Sequence, residues 1–346
     1  MKRWLHDWLL QRWYGRGPIW ILIPFTWLFV ALTSFRRFLY RSGILSTATL
    51  PVPVIVVGNL SVGGSGKTPC TLWLSQILQE AGYRPGIIVR GYGGSSPSWP
   101  RLVTADSNPR EVGDEAVLLA SRSGVPVAAG PRRVAAARLL IEQQQVDLIL
   151  SDDGLQHYRL PRDVEVIMLD GVRGLGNGWR LPAGPLRESA GRLRDAPFVV
   201  IKAGTTSPAD VPRDALIMRL ELDEVVSLSS GERRLLQDFA AKRVHAVAGI
   251  ADPGQFFAAL EARGLHVDGR ALPDHAMPDT GDLLFGDDLP VLMTEKDAVK
   301  CKAMQLEHHW YVMATARFSE SDRRRFLSGL TPYLTKSTAT GAAHNG

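Results

Sequence analysis

Short apolar runs of strand length alternate with segments of helical periodicity from residue 53 to about residue 204. The apolar runs are continuous and rich in Val and Ile, which is typical of strands that are buried on both faces. Alternation of such strands with helices predicts a parallel α/β sheet that is covered on both sides. We predict strands over residues 53–59, 86–92, 125–130, 146–153, 164–170 and 198–204, and helices over residues 67–81, 114–123 and 132–144.

The pattern changes after about residue 212 and predicts a different organisation of the C-terminal part. The runs at 215–222 and after 224 predict a two-stranded β-ribbon linker over residues 213–236. Further runs at 244–250, 265–272 and 290–297, with a helix over 255–262, predict a smaller α/β lobe over residues 237–336. The small, polar residues 337–346 are expected to fray. The larger sheet domain then occupies residues 46–212.

The N-terminal segment, residues 1–45, has a different character. Residues 17–35 carry no charge, basic residues flank the run on both sides, and five Trp residues lie within residues 4–27. Pro24 is expected to kink a helix through this run. A cleaved signal peptide is disfavoured by the long preceding chain, and a buried core helix by the many Trp and Arg residues.

A single membrane span and a helix lying in the membrane interface both remain open for this segment. A full span would place the four basic residues Lys2, Arg3, Arg12 and Arg16 on the outer side, against the positive-inside rule. A kinked helix that lies in the cytoplasmic leaflet or dips into it avoids that conflict, and we favour it. We expect removal of residues 1–40 to weaken membrane association and to leave nucleotide binding unchanged.

Composition and charge narrow the function only slightly. The 346 residues are 45% hydrophobic and 22% charged, as in ordinary globular proteins, and the net charge of +5 suits acidic partners in general. The two cysteines, Cys70 and Cys301, form no C-x-x-C pair, so cysteine-based metal and redox motifs are absent. No recognised nucleic-acid motif accompanies the basic charge, so we expect no nucleic-acid partner.

Residues 61–68, SVGGSGKT, stand between a predicted strand and a predicted helix, where a phosphate-binding loop belongs. The G-x-x-x-x-G-K-[ST] pattern is met at Gly66, Lys67 and Thr68, while Ser61 replaces the first glycine. Lys67 is expected to reach the β- and γ-phosphates of ATP, and Thr68 to hold Mg²⁺. The predicted nucleotide-binding residues are Ser61, Val62, Gly63, Gly64, Ser65, Gly66, Lys67 and Thr68. A glycine-rich turn without a ligand is the alternative.

Acidic residues follow two other elements of the predicted sheet domain. Asp152 and Asp153 end a buried strand, where P-loop proteins place an acid that binds Mg²⁺; a loop cap is the alternative. Asp114 and Glu115 open a helix, where they would either cap it or face the ligand-binding edge of the sheet. The spacing does not decide between these two roles.

The complete set of motifs resembles the tetraacyldisaccharide 4′-kinase family, the lipid A kinases of Gram-negative bacteria. The matching segments run in family order across nearly the whole chain. They are VGNLSVGGSGKTP (57–69), RGYGG (90–94), VGDE (112–115), SDDGLQH (151–157), PAGPLRE (182–188), DH (274–275) and TEKDAVK (294–300). The chain departs from the family at Ala276, where a second histidine is common, and at Lys202, where an Asn-Gly strand ending is expected.

The resemblance implies an ATP- and Mg²⁺-dependent enzyme on the cytoplasmic face of the inner membrane. We expect it to be a monomer. It would phosphorylate the 4′-hydroxyl of tetraacyldisaccharide 1-phosphate to give lipid IVA. The implied catalytic pair is Asp114 and His275. The implied Mg²⁺ ligands are Thr68, Glu115, Asp152, Asp153 and Gln156. Arg90, Arg133 and Arg187 are candidates for binding the 1-phosphate of the substrate, because arginine suits a forked phosphate contact; a solvated arginine is the alternative. His157 is the fourth predicted substrate-binding residue.

A membrane-docked ATPase switch of the partition or cell-division type is the competing interpretation. Such proteins resemble K-G-G-x-G-K-T, with an extra lysine that acts across a dimer. Val62 stands at that position here, and the switch leaves PAGPLRE without a role.

Overall fold

The computed structural model describes residues 2–15, 17–204, 212, 214–304 and 306–342. Two sheets organise this part of the chain, one of nine strands and one of six. The nine strands of the large sheet are β1 (Val54–Asn59), β2 (Pro85–Val89), β3 (Arg101–Val103), β4 (Val127–Ala129), β5 (Leu148–Ser151), β6 (Val164–Asp170), β7 (Phe198–Lys202), β8 (Leu216–Glu221) and β15 (Thr315–Arg317).

The large sheet has the order β15-β8-β7-β6-β1-β5-β2-β4-β3. The edge strands β3 and β15 pair antiparallel with their neighbours, and the pairs between them are parallel. All six residues of the central strand β1 are buried, as its continuous apolar run predicted. The predicted parallel α/β sheet is therefore present, with additional edge strands that the sequence pattern did not reveal.

Helices cover both faces of this sheet. Helices α3 (Lys67–Glu80), α5 (Asp114–Arg122) and α11 (Glu320–Ala342) contribute to the core on one face. Helices α6 (Arg133–Gln144) and α7 (Arg192–Asp195) contribute to the core on the other. The short helix α4 (Pro109–Val112) precedes α5 directly. The result is the three-layer arrangement that apolar strands alternating with helices require.

The small sheet has the order β10-β9-β14-β13-β11-β12. Its strands are β9 (Glu224–Ser227), β10 (Arg233–Leu235), β11 (Arg243–Ala248), β12 (His266–Ala271), β13 (Val291–Thr294) and β14 (His309–Val312), and its helices are α8 (Pro253–Glu261), α9 (Thr280–Leu283) and α10 (Glu295–Cys301). The apolar run predicted to extend from 290 to 297 stops at Thr294. There the Thr294 side chain accepts a hydrogen bond from the Asp297 N–H and starts α10.

The predicted two-stranded linker over residues 213–236 is wrong in its pairing. Strand β8 pairs with β7 and β15 in the large sheet, whereas β9 pairs with β10 and β14 in the small sheet. The two strands are separated because β8 buries Leu216 and Met218 in the core of the large sheet. The outer bounds proposed for the domains stay a prediction.

The end of the chain returns from the small lobe to the large one. Strand β15 joins the large sheet, and α11 places Phe326, Leu330 and Leu334 in its core. Residues 315–334, which the prediction placed in the small lobe, therefore pack with the large sheet. Helix α11 continues to Ala342, so the backbone of 337–342 is helical, and residues 343–346 lie outside the described residues.

The N-terminal segment forms α1 (Lys2–Tyr14), a 3-10 turn (Trp20–Leu22) and α2 (Ile23–Arg41). Pro24 lies in the first turn of α2, where no N–H bond is lost, so the kink predicted within a longer helix is instead a helix start. Within the described residues, one helical stretch, residues 20–41, is long and apolar enough to cross a membrane. Its apolar window has a mean hydropathy of 1.3, and 6% of that window is buried. Its basic neighbour Arg16 is outside the described residues.

The exposed side of α2 is unusually apolar for a protein surface. Its large exposed side chains are Phe25, Trp27, Leu28, Leu32, Phe35 and Phe38, preceded by Trp20 and Ile21. The opposite side is tied to the body. The Thr26 hydroxyl accepts a hydrogen bond from the Ala183 N–H at 3.0 Å, and Arg180 contacts the Thr33 hydroxyl at 3.4 Å.

The return of α11 to the large core can be tested at Phe326. This fully buried ring lies 5.6 Å from the ring of Trp73 in α3 and 4.4 Å from that of Phe198 in β7. We expect Phe326→Ala to lower the free energy of unfolding by about 3–5 kcal/mol, because a large cavity would remain. Arg324→Ala, on the exposed side of the same helix, is the matched control. Equal thermal-unfolding midpoints for the two variants would show that α11 does not belong to the large core.

Candidate active site

The glycine-rich loop joins β1 to α3 as predicted. Gly66, the residue before α3, has φ = 80°, and an added Cβ would lie 2.8 Å from Met218 Cε. Gly63 has φ = 116°, so both positions require the left-handed region that glycine tolerates. The loop therefore brings its backbone N–H groups to the N-terminus of a fourteen-residue helix, which suits an anion.

Lys67 and Thr68 meet the acids that end β5. Lys67 Nζ lies 3.3 Å from Asn59 Oδ1 and 3.6 Å from Asp153 Oδ1. The Thr68 hydroxyl is 3.4 Å from Asp152 Oδ2. Residues that the sequence separates by more than eighty positions thus form one cluster of a cation, a hydroxyl and two carboxyl groups.

The two adjacent aspartates have opposite electrostatic environments. Complete burial, followed by the nearby charge of Glu115, raises the pKa of Asp152 to about 6. Burial would also raise the pKa of Asp153, but the charges of Lys67 and Arg187 outweigh it and the pKa is lowered. Asp153 therefore remains the more strongly anionic of the pair at neutral pH.

Arg133 supports the turn that carries both aspartates. Its Nη2 donates to the Asp152 carbonyl at 2.8 Å and approaches the Asp153 carbonyl at 3.4 Å. The residue is 3% exposed, and its Nη1 is buried without a hydrogen-bond partner. Burial lowers the pKa of Arg133 to about 10, so the side chain keeps its charge at neutral pH.

The other predicted substrate residues line the same region. Arg187 lies 3.6 Å from Asp153 and 3.5 Å from Gln156 Oε1, while Gln156 Nε2 donates to Glu188 at 3.0 Å. Burial, followed by the charges of Arg133 and other arginines including Arg90, lowers the pKa of His157 to about 4. His157 is thus neutral at physiological pH.

Asp114 and His275 are in direct contact across the two lobes. His275 Nδ1 lies 3.1 Å from Asp114 Oδ1 and 3.2 Å from Oδ2. Asp114 is the first residue of α5, after Gly113, at which an added Cβ would come within 2.5 Å of the Tyr92 carbonyl. His275 has φ = 60°, and its ring centroid is 4.7 Å from that of Tyr92. The two motifs that contain these residues, GDE (113–115) and DH (274–275), thus form one site.

The charge state of this pair follows from its neighbours. Burial would raise the pKa of Asp114, but the hydrogen bond from His275 and the charge of Lys296 outweigh it, and the pKa is lowered. Burial would lower the pKa of His275, but the hydrogen bond to Asp114 outweighs it, and the pKa is raised. Asp114 is therefore an ionised acceptor at neutral pH.

Comparison with known proteins identifies the family. Residues 18–331 match the family model LpxK, tetraacyldisaccharide-1-P 4′-kinase. The tetraacyldisaccharide 4′-kinase of Actinobacillus succinogenes is 47% identical over 311 residues, covering 89% of this chain and 93% of that protein. That of Alkalilimnicola ehrlichii is 47% identical over 329 residues, covering 92% and 95%.

The chain belongs to the tetraacyldisaccharide-1-P 4′-kinase family. This membership confirms the resemblance, the kinase class and the link to lipid A biosynthesis that the motifs predicted. The fold agrees, because the "apo" form of LpxK from Aquifex aeolicus in complex with ATP superposes with a TM-score of 0.76 at 29% identity, covering 90% of this chain and 98% of that one. Nothing in these comparisons supports the partition-type switch.

The sequence reasoning missed two lysines of this kinase. Lys296 and Lys300, four residues apart in α10, both approach the Asp114–His275 pair. Their signal was present in TEKDAVK, which begins a helix directly after an apolar strand and places both lysines on one helix face.

A contact from the N-terminal segment also reaches the phosphate loop, and small-lobe residues pair with Arg173 and Lys202 of the large lobe. The Tyr14 hydroxyl donates to the Val62 carbonyl at 2.7 Å, and Arg173 lies over the Tyr14 ring while pairing with Asp252. Lys202, which departs from the family pattern, lies 2.7 Å from Asp170 and 3.1 Å from Gln255. Because residues 1–40 contain Tyr14, this contact argues against the expectation that their removal leaves nucleotide binding unchanged.

Proposed function

We propose that this kinase transfers the γ-phosphate of ATP to the 4′-hydroxyl of tetraacyldisaccharide 1-phosphate, giving lipid IVA. The proposal rests on one observation: neighbouring residues connect the Asp114–His275 pair to the phosphate loop. Asp114, in contact with His275, is followed by Glu115, whose charge acts on Asp152, and Asp152 in turn contacts Thr68 beside Lys67. A phosphate loop and a candidate base therefore share one edge of the large sheet.

The phosphate loop and Lys67 would hold the β- and γ-phosphates of ATP. Backbone N–H groups at the start of α3 and the Lys67 ammonium place positive charge where the transferred group gains negative charge. Asn59 and Asp153, the neighbours of Lys67, keep its side chain directed into the loop. A charge held in this direction by its neighbours needs little reorganisation at the reaction step.

The donor set also suits Mg²⁺. The Thr68 hydroxyl and the carboxylates of Asp152 and Asp153 are hard oxygen ligands, and Asp153 Oδ1 is buried without a hydrogen-bond donor. When bound, Mg²⁺ would neutralise charge on the phosphates. Few protein ligands are needed, because Mg²⁺ commonly retains water and shares phosphate oxygens. Glu115 and Gln156 stay predicted ligands, with Lys296 and Arg187 beside their oxygens.

Asp114 is the proposed proton acceptor. The 4′-oxygen forms a bond to the γ-phosphorus, its proton passes to the Asp114 carboxylate, and the bond to the β–γ bridging oxygen breaks with its electron pair leaving on ADP. His275 donates to Asp114 and fixes its direction. Asp114 and His275 belong to one chain, which supports a kinase that acts as a monomer.

Arg90, Arg133, His157 and Arg187 are the proposed contacts for the acidic end of the lipid. The unpartnered Nη1 of Arg133 is a donor available to a phosphate oxygen. Neutral His157 would act there as a hydrogen-bonding group, since its pKa is far below neutral. Arg90 is exposed and close enough to lower the pKa of His157.

We propose that α2 lies in the interface of the inner membrane on its cytoplasmic face. The helix contacts the body at Thr26, at Thr33 and near its end, where Arg36 lies over the Tyr158 ring. Contacts spread along the helix favour a helix lying against the body over one that leaves it to cross the bilayer. Its apolar side then faces the lipid, where the acylated substrate resides.

Lys67→Ala tests the phosphate loop. Loss of the oriented ammonium should lower kcat by about 10²-fold or more, measured as transfer of labelled phosphate to the lipid. Lys242→Ala, which removes an exposed lysine of the small lobe, is the control and should retain full activity. If the folded Lys67→Ala variant turned over at the control rate, the loop assignment would have to be abandoned.

Asp114→Asn and His275→Ala test the catalytic pair. Each should lower kcat by about 10²–10⁴-fold, the usual value of general-base help, with ATP binding retained. Because the residues act as a unit, the double variant should be little worse than the poorer single variant. His266→Ala, at an exposed histidine of the same lobe, is the control. Losses that multiply in the double variant would separate the two roles and exclude the pair.

The membrane surface can be tested with matched leucine pairs. Leu28→Ser/Leu32→Ser alters two exposed side chains of α2, and Leu235→Ser/Leu284→Ser alters two similarly exposed side chains elsewhere. Since burial of each leucine in lipid is worth up to about 1.5–3 kcal/mol, the first pair should weaken binding to anionic vesicles by roughly tenfold or more. The second pair should bind like the unaltered protein. Equal binding of both variants would place the membrane contact on another surface.

A further inference from the structure

Helix α10 presents two lysines to the Asp114–His275 pair, but their surroundings differ. Lys300, with a side chain 1% exposed, pairs with Asp297 at 2.7 Å and donates to the Ala276 carbonyl at 2.8 Å. Its distance to Asp114 Oδ2 is 3.8 Å. The Lys300 ammonium is therefore bound by the buried Asp297 and by the Ala276 carbonyl, and it acts on Asp114 mainly through its charge.

Lys296 instead touches the histidine itself. Its Nζ lies 3.2 Å from His275 Nε2, 3.1 Å from Asp274 Oδ1 and 3.4 Å from Glu115 Oε1. Two carboxylates at these distances stabilise the ammonium form that a lysine ordinarily has at neutral pH. The group next to Nε2 is thus a cation that has hydrogen atoms to donate and no lone pair to accept one.

This contact determines which ring nitrogen of His275 carries hydrogen. Because the ammonium can only donate, Nε2 must present its lone pair, and the single hydrogen of the neutral ring is then on Nδ1. The competing acceptor for an Nε2 hydrogen, Asp274 Oδ1, is 3.8 Å away, beyond hydrogen-bond distance. Nδ1 faces both oxygens of Asp114, which is where a donor is required.

We propose that Lys296 is a positioning residue that fixes the Nδ1–H tautomer of His275 by donating to its Nε2. This inference rests on the proposed role of Asp114 as the proton acceptor. With the tautomer fixed, the His275 ring always donates to Asp114 and never competes with it for the proton of the sugar hydroxyl. The wrong tautomer would set two acceptors against each other, an error that is costly in other catalytic pairs.

The arrangement also explains why the base cannot be His275 in this geometry. Nε2, the ring nitrogen that does not face Asp114, is covered by Lys296, so no lone pair of the ring is left to receive a substrate proton. Asp114 Oδ1 already accepts the Glu115 N–H at 2.8 Å. Oδ2 is therefore the oxygen with the larger remaining capacity to accept the hydroxyl proton.

Two substitutions at Lys296 separate donation from bulk. Lys296→Met keeps an unbranched chain and removes the donor, and Lys296→Arg keeps a donor and the charge. Lys302→Met, at an exposed lysine just after α10, is the matched control. We expect kcat to fall on the order of 10²-fold in Lys296→Met, near the lower end of general-base catalysis, with KM for ATP nearly unchanged. Lys296→Arg should recover part of the loss, and Lys302→Met should lose nothing.

The tautomer is measured directly from the ring ¹⁵N chemical shifts of His275 in the full chain labelled with [¹⁵N]histidine. The signals are assigned by their disappearance in His275→Ala. The unaltered protein should show a protonated Nδ1 and an unprotonated Nε2, and this pattern should be lost in Lys296→Met and kept in Lys302→Met. A protonated Nε2 in the unaltered protein, or an unchanged pattern in Lys296→Met, would overturn the proposal.

The ring ¹⁵N shifts and kcat test the positioning role and the proposed base separately. Ring shifts are recorded without ATP or lipid, so they report the tautomer even if Asp114→Asn retains activity and the proposed base is wrong. A fall in kcat for Lys296→Met with an unchanged ring pattern contradicts the positioning role alone. A fall in both kcat and the fraction of Nδ1–H tautomer, with recovery in Lys296→Arg, supports it.

Discussion

Burial of the Asp114 carboxylate is the constraint on which the arrangement of the two lobes depends. The residue is 5% exposed, and an ionised carboxylate so deeply buried is costly unless donors and cations surround it. α5 itself supplies only the Glu115 N–H. The other partners, His275, Lys296 and Lys300, belong to the small lobe. The large lobe thus carries a charge that the small lobe must neutralise, so the lobes are held together at the point where the proposed chemistry takes place.

The same contact surface is secured at the other end of α5. Arg122, in its last turn, pairs with Glu295 at the start of α10, and Glu295 also accepts the Ala314 N–H at 2.9 Å. Helices α5 and α10 are therefore joined by charge at both ends. This leaves the Asp114 and His275 side chains little freedom to separate while the two helices remain in register, which is what a positioned base requires.

The parts of the site that could be predicted from sequence are those with strong local signals. The phosphate loop follows from Gly66, Lys67 and Thr68 between a strand and a helix, and Asp152 and Asp153 follow from their place at the end of a buried strand. The Asp114–His275 contact could be predicted only from the family resemblance, because no local sequence pattern links residues 161 positions apart. Lys296 was overlooked for the same reason, since its role depends on which lobe faces α10.

The errors in the fold prediction have a common physical origin. Periodicity identifies strands but not their partners, so β8 and β9 looked like one ribbon although they belong to different sheets. Likewise, β15 is only three residues long and pairs with a strand more than ninety positions earlier in the chain. Pairings of this kind are decided by which edge still has unsatisfied backbone groups and exposed apolar surface, and neither is visible in a short stretch of sequence.

The return of β15 and α11 to the large sheet has a consequence for how the protein is made. The ribosome synthesises the chain from the N-terminus, so β1 to β8 emerge long before β15 and α11, which complete their core. Until residues 315–334 appear, Trp73, Phe198 and the edge of β8 have no cover, while the small lobe between them can already fold. The nascent kinase would then expose an apolar sheet edge in addition to the apolar surface of α2. If α2 bound the membrane early, its apolar surface would be covered by lipid during synthesis. Only the sheet edge would then remain exposed to self-association.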